Sequence, residues 1–435
     1  MMKTVIATSA SAAIMLAAAC SGGEPGNDTG DTAPASSETD ATDVSGTDQQ
    51  TANADTTNGG DEDSSATPEA LTSEDGYKLT PYASGLTFPW DMLFLPSGEM
   101  LVTERDGNIR VIRDGELLEA PVSGTPETLA EGQGGYFAMA LDPDFASNRT
   151  LYLAYAKGSA DENTTAVIKG ILSDDASELT EVQEIFAGTP RETTYHYGGR
   201  LEFLPDGTLI ITMGEGFRYM EEAQNPMNYH GTIARINTDG SIPEDNPFAS
   251  GEEGAPAVWT YGNRNVQGLL WDGGREILWA HEHGPKGGDE LNILEPGNNY
   301  GWPAITYGVN YDGTIITEQT EAEGMEQPVV KWVPSIAPSG MVLLDENSGD
   351  WSGWAGDIIV AAMNGPKGQK LVRVDLDETG TSATTEDMLA DLAIPFRDIT
   401  IGPDGKIYLA TANMEGVIYT LEQASDESEE QGTTE

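Results

Sequence analysis

A strand–turn–strand unit that recurs along the chain constrains the fold more than any other feature of this sequence. In each unit, an apolar segment leads into a turn rich in Pro, Asp and Gly, and a second apolar segment follows. Pro presets the first dihedral angle of such a turn and Gly accepts the positive φ after it, so the two segments pair as antiparallel strands. The six units start near Trp90, Phe137, Arg200, Val266, Ile336 and Arg397. Repeats of this kind predict an all-β protein, a six-bladed β-propeller of four-stranded antiparallel blades.

Two long insertions interrupt the repeat, around residues 215–260 and 284–335. Long insertions in a compact domain usually carry function. Loops from different blades converge at the ends of the central channel, so we expect both insertions to lie at one end and to form the functional site there.

The N-terminal segment is typical of an export signal. Lys3 precedes the apolar run Val5–Ala19, and small residues then lead to Cys20, the only cysteine in the chain. The run is short for a membrane span, and the pattern predicts a lipoprotein signal over residues 1–20, with a lipid on Cys20. The alternative is an ordinary signal peptide cut nearby, which would give a freely soluble periplasmic protein. A single cysteine leaves no pair for a disulfide.

The charge balance is strongly acidic, with 73 Asp and Glu against 21 Lys and Arg and a net charge of −52. Residues 21–75 contain 14 of these acids and no Lys or Arg. Such a segment buries too little apolar surface to offset its chain entropy, which predicts a disordered acidic tether. We expect the propeller domain to span residues 76–421 and an acidic tail to span 422–435. The charge argues against nucleic-acid binding.

The stretch from Glu282 to Asn292 is the most informative for chemistry. Its Gly and Pro residues expose main-chain carbonyls, and Asp289 and Glu290 add carboxylate oxygens. Calcium is the metal that such oxygen-rich loop sites prefer. The alternative interpretation is a Gly-rich surface turn with solvated acids.

Two further stretches favour a specific family. His196 lies just before one predicted inner strand, and Arg264 with Asn265 lies just before another. Here the chain resembles the soluble dehydrogenases of glucose and other aldose sugars that depend on pyrroloquinoline quinone (PQQ). The resemblance runs from about Gly85 to Leu421. Five motifs occur in the expected order: Gly-Gln-Gly-Gly from Gly132, His-x-Gly-Gly-Arg-Leu, Arg-Asn-x-Gln-Gly, His-Gly-Pro-x-Gly-Gly-Asp-Glu, and Pro-Ser-Ile-Ala-Pro-Ser-Gly.

The resemblance implies a role for each matching residue. His196 matches the general base that takes the proton of the sugar C1 hydroxyl as hydride passes to C5 of PQQ, and histidine suits this because its ordinary pKa lies near working pH. Arg264 matches a residue at the quinone face that could also stabilise charge on the C5 oxygen. The remaining cofactor contacts that the resemblance implies are Gln133, Asn265, Tyr311, Lys367 and Arg397.

Some of these matches leave alternatives open. An apparent insertion blurs the register around the cofactor-binding lysine, so Lys370 is the alternative to Lys367. The family often shows Arg-x-Arg-Asp where this chain has Pro395-Phe396-Arg397-Asp398, so only Arg397 carries over. Glu215 stands where relatives have Asp near the sugar, and it is predicted as a substrate contact, with an exposed acid as the alternative.

The resemblance also implies two calcium ions. Gly284 and Pro285 match carbonyls that hold the Ca²⁺ bridging to PQQ, where the ion acts as a Lewis acid. Glu290 and Tyr300 match ligands of a second, structural Ca²⁺. The alternative for these residues is a role in turns and packing.

The sequence therefore predicts oxidation of aldose sugars at C1 to lactones, with PQQ and Ca²⁺ as cofactors. A quinone or a small periplasmic carrier would accept the electrons, and the protein would be periplasmic or anchored in the outer membrane through Cys20. Two alternatives remain: a catalytically inactive carbohydrate-binding propeller, which would have no need to keep His196, Arg264 and Gln133, and a Ca²⁺-dependent lactonase.

Overall fold

The computed structural model describes residues 68–364 and 368–424. These residues form six antiparallel sheets arranged as successive blades, which confirms the predicted all-β, six-bladed propeller. The predicted signal, residues 21–67 of the predicted tether, residues 425–435 of the predicted tail and Lys367 lie outside the described residues. The last strand continues to Gln423, two residues past the predicted end of the propeller domain at residue 421. No helix in the described part of the chain is long and apolar enough to cross a bilayer.

The strands follow one another in chain order from blade to blade. The chain starts with β1 (Leu71–Thr72) and β2 (Tyr77–Leu86), and the first blade contains β3 (Pro89–Phe94), β4 (Met100–Glu104), β5 (Asn108–Arg113) and β6 (Glu116–Leu117). The second blade contains β7 (Tyr136–Leu141), β8 (Thr150–Ser159), β9 (Glu162–Leu172) and β10 (Leu179–Ala187), and the third contains β11 (Leu201–Phe203), β12 (Leu209–Thr212), β13 (Ile233–Ile236) and β14 (Val258–Thr260).

The remaining blades repeat this order. The fourth contains β15 (Val266–Asp272), β16 (Ile277–Glu282), β17 (Asp289–Leu294) and β18 (Val330–Trp332), and the fifth contains β19 (Pro338–Leu343), β20 (Ile358–Asn364), β21 (Gln369–Leu376) and β22 (Ala383–Met388). The sixth contains β23 (Phe396–Ile401), β24 (Ile407–Thr411) and β25 (Gly416–Gln423). The short helices of the described residues lie in connections: α1 (Phe145–Asn148) and the 3₁₀ turns Met220–Gln224 and Gly349–Trp354.

The ring closes by pairing the two ends of the described chain. β2 pairs antiparallel with β25, with Leu79 opposite Leu421, and β1 adds to the outer edge of the same sheet. The first strand therefore starts at Leu71, before the boundary predicted at residue 76. Leu71 pairs with Leu79 and Ser73 is buried, so this short segment joins the sheet although its composition resembles that of the acidic segment before it.

Apolar side chains fill the spaces between neighbouring blades. Strands near the channel are buried on both faces, as in β4, where every residue is buried. One such layer joins the first three blades around Trp90, Phe137 and Tyr197. Because each blade covers the face of the next, these strands are continuous apolar runs rather than alternating ones, and their burial is the main source of stability.

Arg200 crosses the channel and connects the inner strands. Its Nη1 lies 2.7 Å from Asp91 Oδ1 and 2.9 Å from Asp398 Oδ1. Its Nε donates to Gln267 O at 2.7 Å and its Nη2 to Ser339 O at 3.2 Å. One buried side chain of the third blade therefore contacts the first, fourth, fifth and sixth.

Candidate functional site

Four of the predicted site residues, Gln133, His196, Asn265 and Arg397, lie at the end of the channel where the inner strands begin. Gln133, His196 and Asn265 each precede an inner strand, and Arg397 is the second residue of β23. The Gln133 Oε1 accepts the main-chain N–H of His196 at 2.9 Å, and the Asn265 Oδ1 accepts that of Gly198 at 3.1 Å. The blades bring these residues together because the inner strands all run in the same direction along the channel.

A cavity at this end has aromatic walls and two guanidinium groups. It is lined by the rings of Phe88, Trp90, Phe137 and Tyr197, by the polar groups of Gln133, Asn265, Gln267 and His283, and by Arg105 and Arg397. No Asp or Glu is among the described residues that line it, although the chain carries 73 acids and 21 bases. Flat apolar walls and fixed positive charge suit a planar anionic ligand.

Arg397 is held rigidly at the floor of this cavity. Its guanidinium lies 4.1 Å from the centre of the Trp90 ring, and its Nη2 donates to Gln267 Oε1 at 2.9 Å. Burial, together with repulsion from Arg200, lowers the pKa of Arg397 to about 9. The lowered pKa means that the cation is poorly compensated by the protein itself, and an anion in the cavity would stabilise it.

His196 and Glu215 form a buried pair beside the cavity. His196 Nδ1 lies 3.0 Å from Glu215 Oε2, and both side chains are almost inaccessible. Glu215 also accepts the main-chain N–H of Phe217. Burial by itself would raise the pKa of Glu215, but His196, Arg264 and the Phe217 N–H outweigh it, so the pKa is lowered. Glu215 is therefore ionised at neutral pH and faces His196.

The backbone at His196 is in the left-handed region, with φ of 50°. This conformation is uncommon for a residue other than Gly and concentrates at functional sites. It turns the chain sharply before β11, and the main-chain N–H of His196 meets Gln133 Oε1. The His196 ring packs edge-on against Phe217.

The guanidinium of Arg264 donates hydrogen bonds to carbonyl oxygens of the fourth blade. Its Nη1 donates to Gly284 O at 2.8 Å and to His283 O at 3.1 Å, and its guanidinium faces the Trp302 ring. Gly284 O, predicted as a Ca²⁺ ligand, therefore already accepts hydrogen bonds from a positive group. The carbonyls at this point are arranged to bind a cation.

Two carboxylates meet across the β16–β17 ladder. Glu282 and Glu290 are direct cross-strand partners, and burial raises the pKa of both. The amides of Asn263 and Asn292 donate to them, and the Oδ1 atoms of both amides are buried without a hydrogen-bond donor among the described residues. The described residues contain no group of three or more His, Cys, Asp or Glu side chains that could hold a metal ion. The donor set is instead two carboxylates and two amide oxygens, which suits a hard cation such as Ca²⁺.

Other predicted residues have different positions. The Tyr300 hydroxyl donates to Ile293 O and accepts the Glu295 N–H, both at 2.8 Å, so this hydroxyl is used within its own turn. Tyr311 is 49% exposed and is not among the residues that line the cavity. Lys370 Nζ lies 2.7 Å from Asp387 on the neighbouring outer strand.

The two insertions contact each other. Gln224 of the first insertion donates to Asn299 Oδ1 at 2.9 Å and to Trp302 O at 2.8 Å, and it accepts from Asn299 Nδ2 at 2.8 Å. Because the Trp302 ring faces the guanidinium of Arg264, this amide pair links the first insertion to the position of Arg264.

Sequence reasoning missed Arg105 as a cavity residue, the amide partners Asn263 and Asn292, and the role of Arg200. Arg200 belongs to a motif that the sequence analysis identified, and its charge in an apolar strand was an available signal. Arg105 follows β4 in an ordinary turn, and nothing in its local sequence distinguishes it from an exposed arginine.

Comparison with known proteins gives a consistent result. Residues 86–420 match the family described as glucose/sorbosone dehydrogenase. The chain is 40% identical over 339 residues to aldose sugar dehydrogenase YliI of Escherichia coli (strain K12), covering 76% of this chain and 89% of that protein.

Solved structures agree with this match. The apo-form of the soluble aldose sugar dehydrogenase from Escherichia coli has a TM-score of 0.75 at 36% identity, covering 80% of this chain and 99% of that chain. The PQQ-bound form of aldose sugar dehydrogenase from Streptomyces coelicolor has a TM-score of 0.65 at 28% identity, covering 80% of this chain and 98% of that chain. The similarity therefore spans nearly the whole of both solved chains.

Proposed function

This chain belongs to the glucose/sorbosone dehydrogenase family of oxidoreductases, and we propose that it oxidises aldose sugars at C1 to lactones with PQQ and Ca²⁺. The observation that carries the proposal is the cavity with aromatic walls, two guanidinium groups and no carboxylate, beside the buried pair of His196 and Glu215. PQQ is a planar tricarboxylate, so its shape and charge fit this cavity. A PQQ-bound relative supports the same choice.

The residues that would hold PQQ are those with matching chemistry around the cavity. Arg397 would bind a carboxylate, and Gln133 and Asn265 would donate to the oxygens of the ring system. Arg264 is not among the residues that line the cavity, and its contact with the quinone is proposed on the resemblance. When bound, PQQ accepts hydride from the sugar and Ca²⁺ polarises the accepting carbonyl as a Lewis acid. Tyr311 and a lysine of the 365–370 segment remain part of the proposed cofactor environment on the resemblance alone.

His196 would act as the general base toward the C1 hydroxyl. Ionised Glu215 accepts a hydrogen bond from Nδ1–H, so the lone pair of the neutral ring is on Nε2, and Nε2 is the atom that would accept the proton. The same carboxylate would stabilise the imidazolium that results. We therefore propose that Glu215 positions His196, in place of the substrate contact predicted from the sequence.

Calcium would bind in two places. Glu290, with Glu282, Asn263 and Asn292, offers the oxygen donors for a structural ion, and the charge of the ion would relieve the repulsion between the two carboxylates. The carbonyls of Gly284 and Pro285 would hold the ion next to PQQ. Because Arg264 donates to Gly284 O in this structure, we expect its guanidinium to turn away from that oxygen when the ion binds.

The test uses the full-length protein purified without cofactor. Addition of PQQ and Ca²⁺ should produce aldose-dependent dye reduction, and omission of PQQ is the matched control. A carbohydrate-binding propeller would bind the sugar without reducing the dye, and a lactonase would hydrolyse lactones without PQQ. Either result would replace the proposed function.

The cell location remains a proposal from the sequence. We propose export, a lipid on Cys20 in the periplasm or outer membrane, and transfer of electrons to a quinone or a small periplasmic carrier. Cys20→Ser should move the protein from the membrane fraction to the soluble periplasmic fraction. A wild-type protein found entirely in the soluble fraction would favour the ordinary signal peptide.

A further inference from the structure

Arg105 faces the cavity and has no carboxylate within ion-pair distance among the described residues. It lies in the turn between β4 and β5, lines the cavity, and its guanidinium is 4.5 Å from the centre of the Phe88 ring. Among residues 68–364 and 368–424 it forms no ion pair. The arginines of the described chain that do pair with carboxylates are Arg110, Arg113, Arg149, Arg200, Arg235, Arg275 and Arg373.

Acids outnumber bases by more than three to one in this chain, yet no described carboxylate lines the cavity that Arg105 and Arg397 share. Arg105 shares the cavity with Arg397, and repulsion from Arg105 is one of the causes that lower the pKa of Arg397. Two cations in one partly buried cavity repel each other unless an anion lies between or beside them. The cavity is therefore prepared for a ligand with more than one negative charge.

The sixth blade by itself supplies only one of these cations. Pro395 and Phe396, the residues before Arg397, carry no charge. The second cation comes from the first blade, which is the neighbour of the sixth in the closed ring.

The backbone of Arg105 is fixed, so its guanidinium is held at the cavity before a ligand binds. Its main-chain N–H donates to Phe88 O at 3.1 Å. Gly135 packs so closely on the other side that a Cβ there would lie 1.9 Å from Arg105 O, and its φ is +144°. Only Gly is compatible with both conditions. Ordering a long side chain costs entropy, and the Phe88 ring and this fixed backbone reduce that cost before the ligand arrives.

We propose that Arg105 binds a carboxylate of the cofactor and is, with Arg397, one of two guanidinium groups that hold the planar polyanion between the first and sixth blades. This inference rests on the proposed function, since it names PQQ as the anion. Arg105 acts in cofactor binding and orientation, and the proton transfer is left to His196.

The test compares variants of the full-length apo-protein by equilibrium dialysis with PQQ in the presence of Ca²⁺. Arg105→Gln removes the charge and keeps much of the side-chain stem over Phe88. Loss of one charge-assisted hydrogen bond should weaken the PQQ Kd by about 10- to 100-fold. Arg113→Gln is the matched control, because Arg113 is an exposed arginine of the same blade outside the cavity, and its Kd should equal that of the wild type.

A neutral probe separates charge recognition from shape. The trimethyl ester of PQQ lacks the carboxylate charges, so Arg105→Gln should not discriminate against it beyond the effect seen with Arg113→Gln. Arg105→Lys keeps the charge but loses the planar fork, and it should bind PQQ with an intermediate Kd. It also serves as the second variant if Arg105→Gln does not fold.

The outcomes distinguish this inference from the proposed function. If the wild type binds PQQ and the Arg105 variants bind it equally well, Arg105 is not a cofactor ligand and the inference is wrong. If the wild type does not bind PQQ at all, the proposed function fails together with the inference.

Discussion

His196 combines a left-handed backbone, a buried carboxylate on Nδ1 and a place beside the cavity rather than in its lining. This arrangement predicts that it acts on the substrate and contributes little to cofactor binding. His196→Gln should therefore retain PQQ affinity while kcat and kcat/KM both fall by about 10² to 10⁴. Steady-state kinetics at saturating PQQ measures kcat and kcat/KM of His196→Gln, and equilibrium dialysis with PQQ measures its cofactor affinity as the control. Weak PQQ binding with normal saturated turnover would make His196 a cofactor ligand.

Glu215 provides a second residue-scale prediction, because its two possible roles give different kinetics. If it positions His196, Glu215→Gln should lower kcat by about 10-fold or more with little change in KM, and Glu215→Asp, which keeps the charge, should recover part of the loss. A substrate contact would instead raise KM and leave kcat near the wild-type value.

The lowered pKa of Glu215 adds a pH dependence to stability. A carboxyl group whose pKa is lower in the folded state stabilises the protein above its ordinary pKa of about 4.5, and this contribution disappears as pH falls through the lowered value. The difference in free energy of unfolding between wild type and Glu215→Gln should be present above about pH 4.5 and shrink as the pH falls through the lowered pKa of Glu215. Urea unfolding at several pH values measures it, and a difference that does not shrink below about pH 4.5 would contradict the lowered pKa.

At the scale of elements, the β16–β17 hairpin aligns Glu282 with Glu290 and leaves the amide oxygens of Asn263 and Asn292 directed to no donor among the described residues. A cation there would convert two mutually repelling buried carboxylates into ligands. Saturation to 100 times the Kd adds about 2.7 kcal/mol to stability. We expect chelation to lower the Tm of the wild type by several degrees.

A matched pair of variants locates this effect. Glu290→Gln should lose most of the calcium-dependent part of the Tm, whereas Glu184→Gln, an exposed carboxylate of the second blade, should keep it. A Tm that chelation leaves unchanged in the wild type would show that the hairpin binds no ion.

At the scale of the whole molecule, Arg200 connects blades that are far apart in the sequence, and Asp91 also accepts the Met139 N–H from the second blade. Arg200→Met should cost about 3 to 5 kcal/mol, because it leaves Asp91 and Asp398 buried without their cation. Lys157→Met is the control, since its pair with Glu184 is exposed and should be worth about 0 to 1 kcal/mol.

The pH dependence of the stability lost in Arg200→Met tests the same role of Arg200. Burial and repulsion from Asp398 already raise the pKa of Asp91 to about 7, and removal of Arg200 should raise it further. A raised carboxyl pKa in the folded state favours the protonated form, so stability is lost as pH rises through it. The deficit of Arg200→Met should be larger at pH 8 than at pH 5, as measured by urea unfolding. An equal deficit at both values would mean that the loss comes from packing alone.

The sequence by itself determined the number of blades and the position of each inner strand. Hairpin turns such as Pro205-Asp206-Gly207 act between neighbouring segments, so their geometry follows from local dihedral preferences. The resemblance carried by the ordered motifs pointed to His196, Arg264 and Asn265 as site candidates, and each lies shortly before an inner strand, whose direction fixes the end of the channel at which it emerges.

Only the tertiary structure decided which distant side chains meet. The pairing of β2 with β25, the fit of Arg105 beside Arg397, and the turn of Glu215 toward His196 depend on closing the ring and on the path of a long insertion. Local sequence carries no such information, because a solvated arginine or glutamate looks the same before the blades assemble. Closure of the ring then decides which buried charges have a partner, as Arg200 does, and which are left to bind a ligand, as we propose for Arg397.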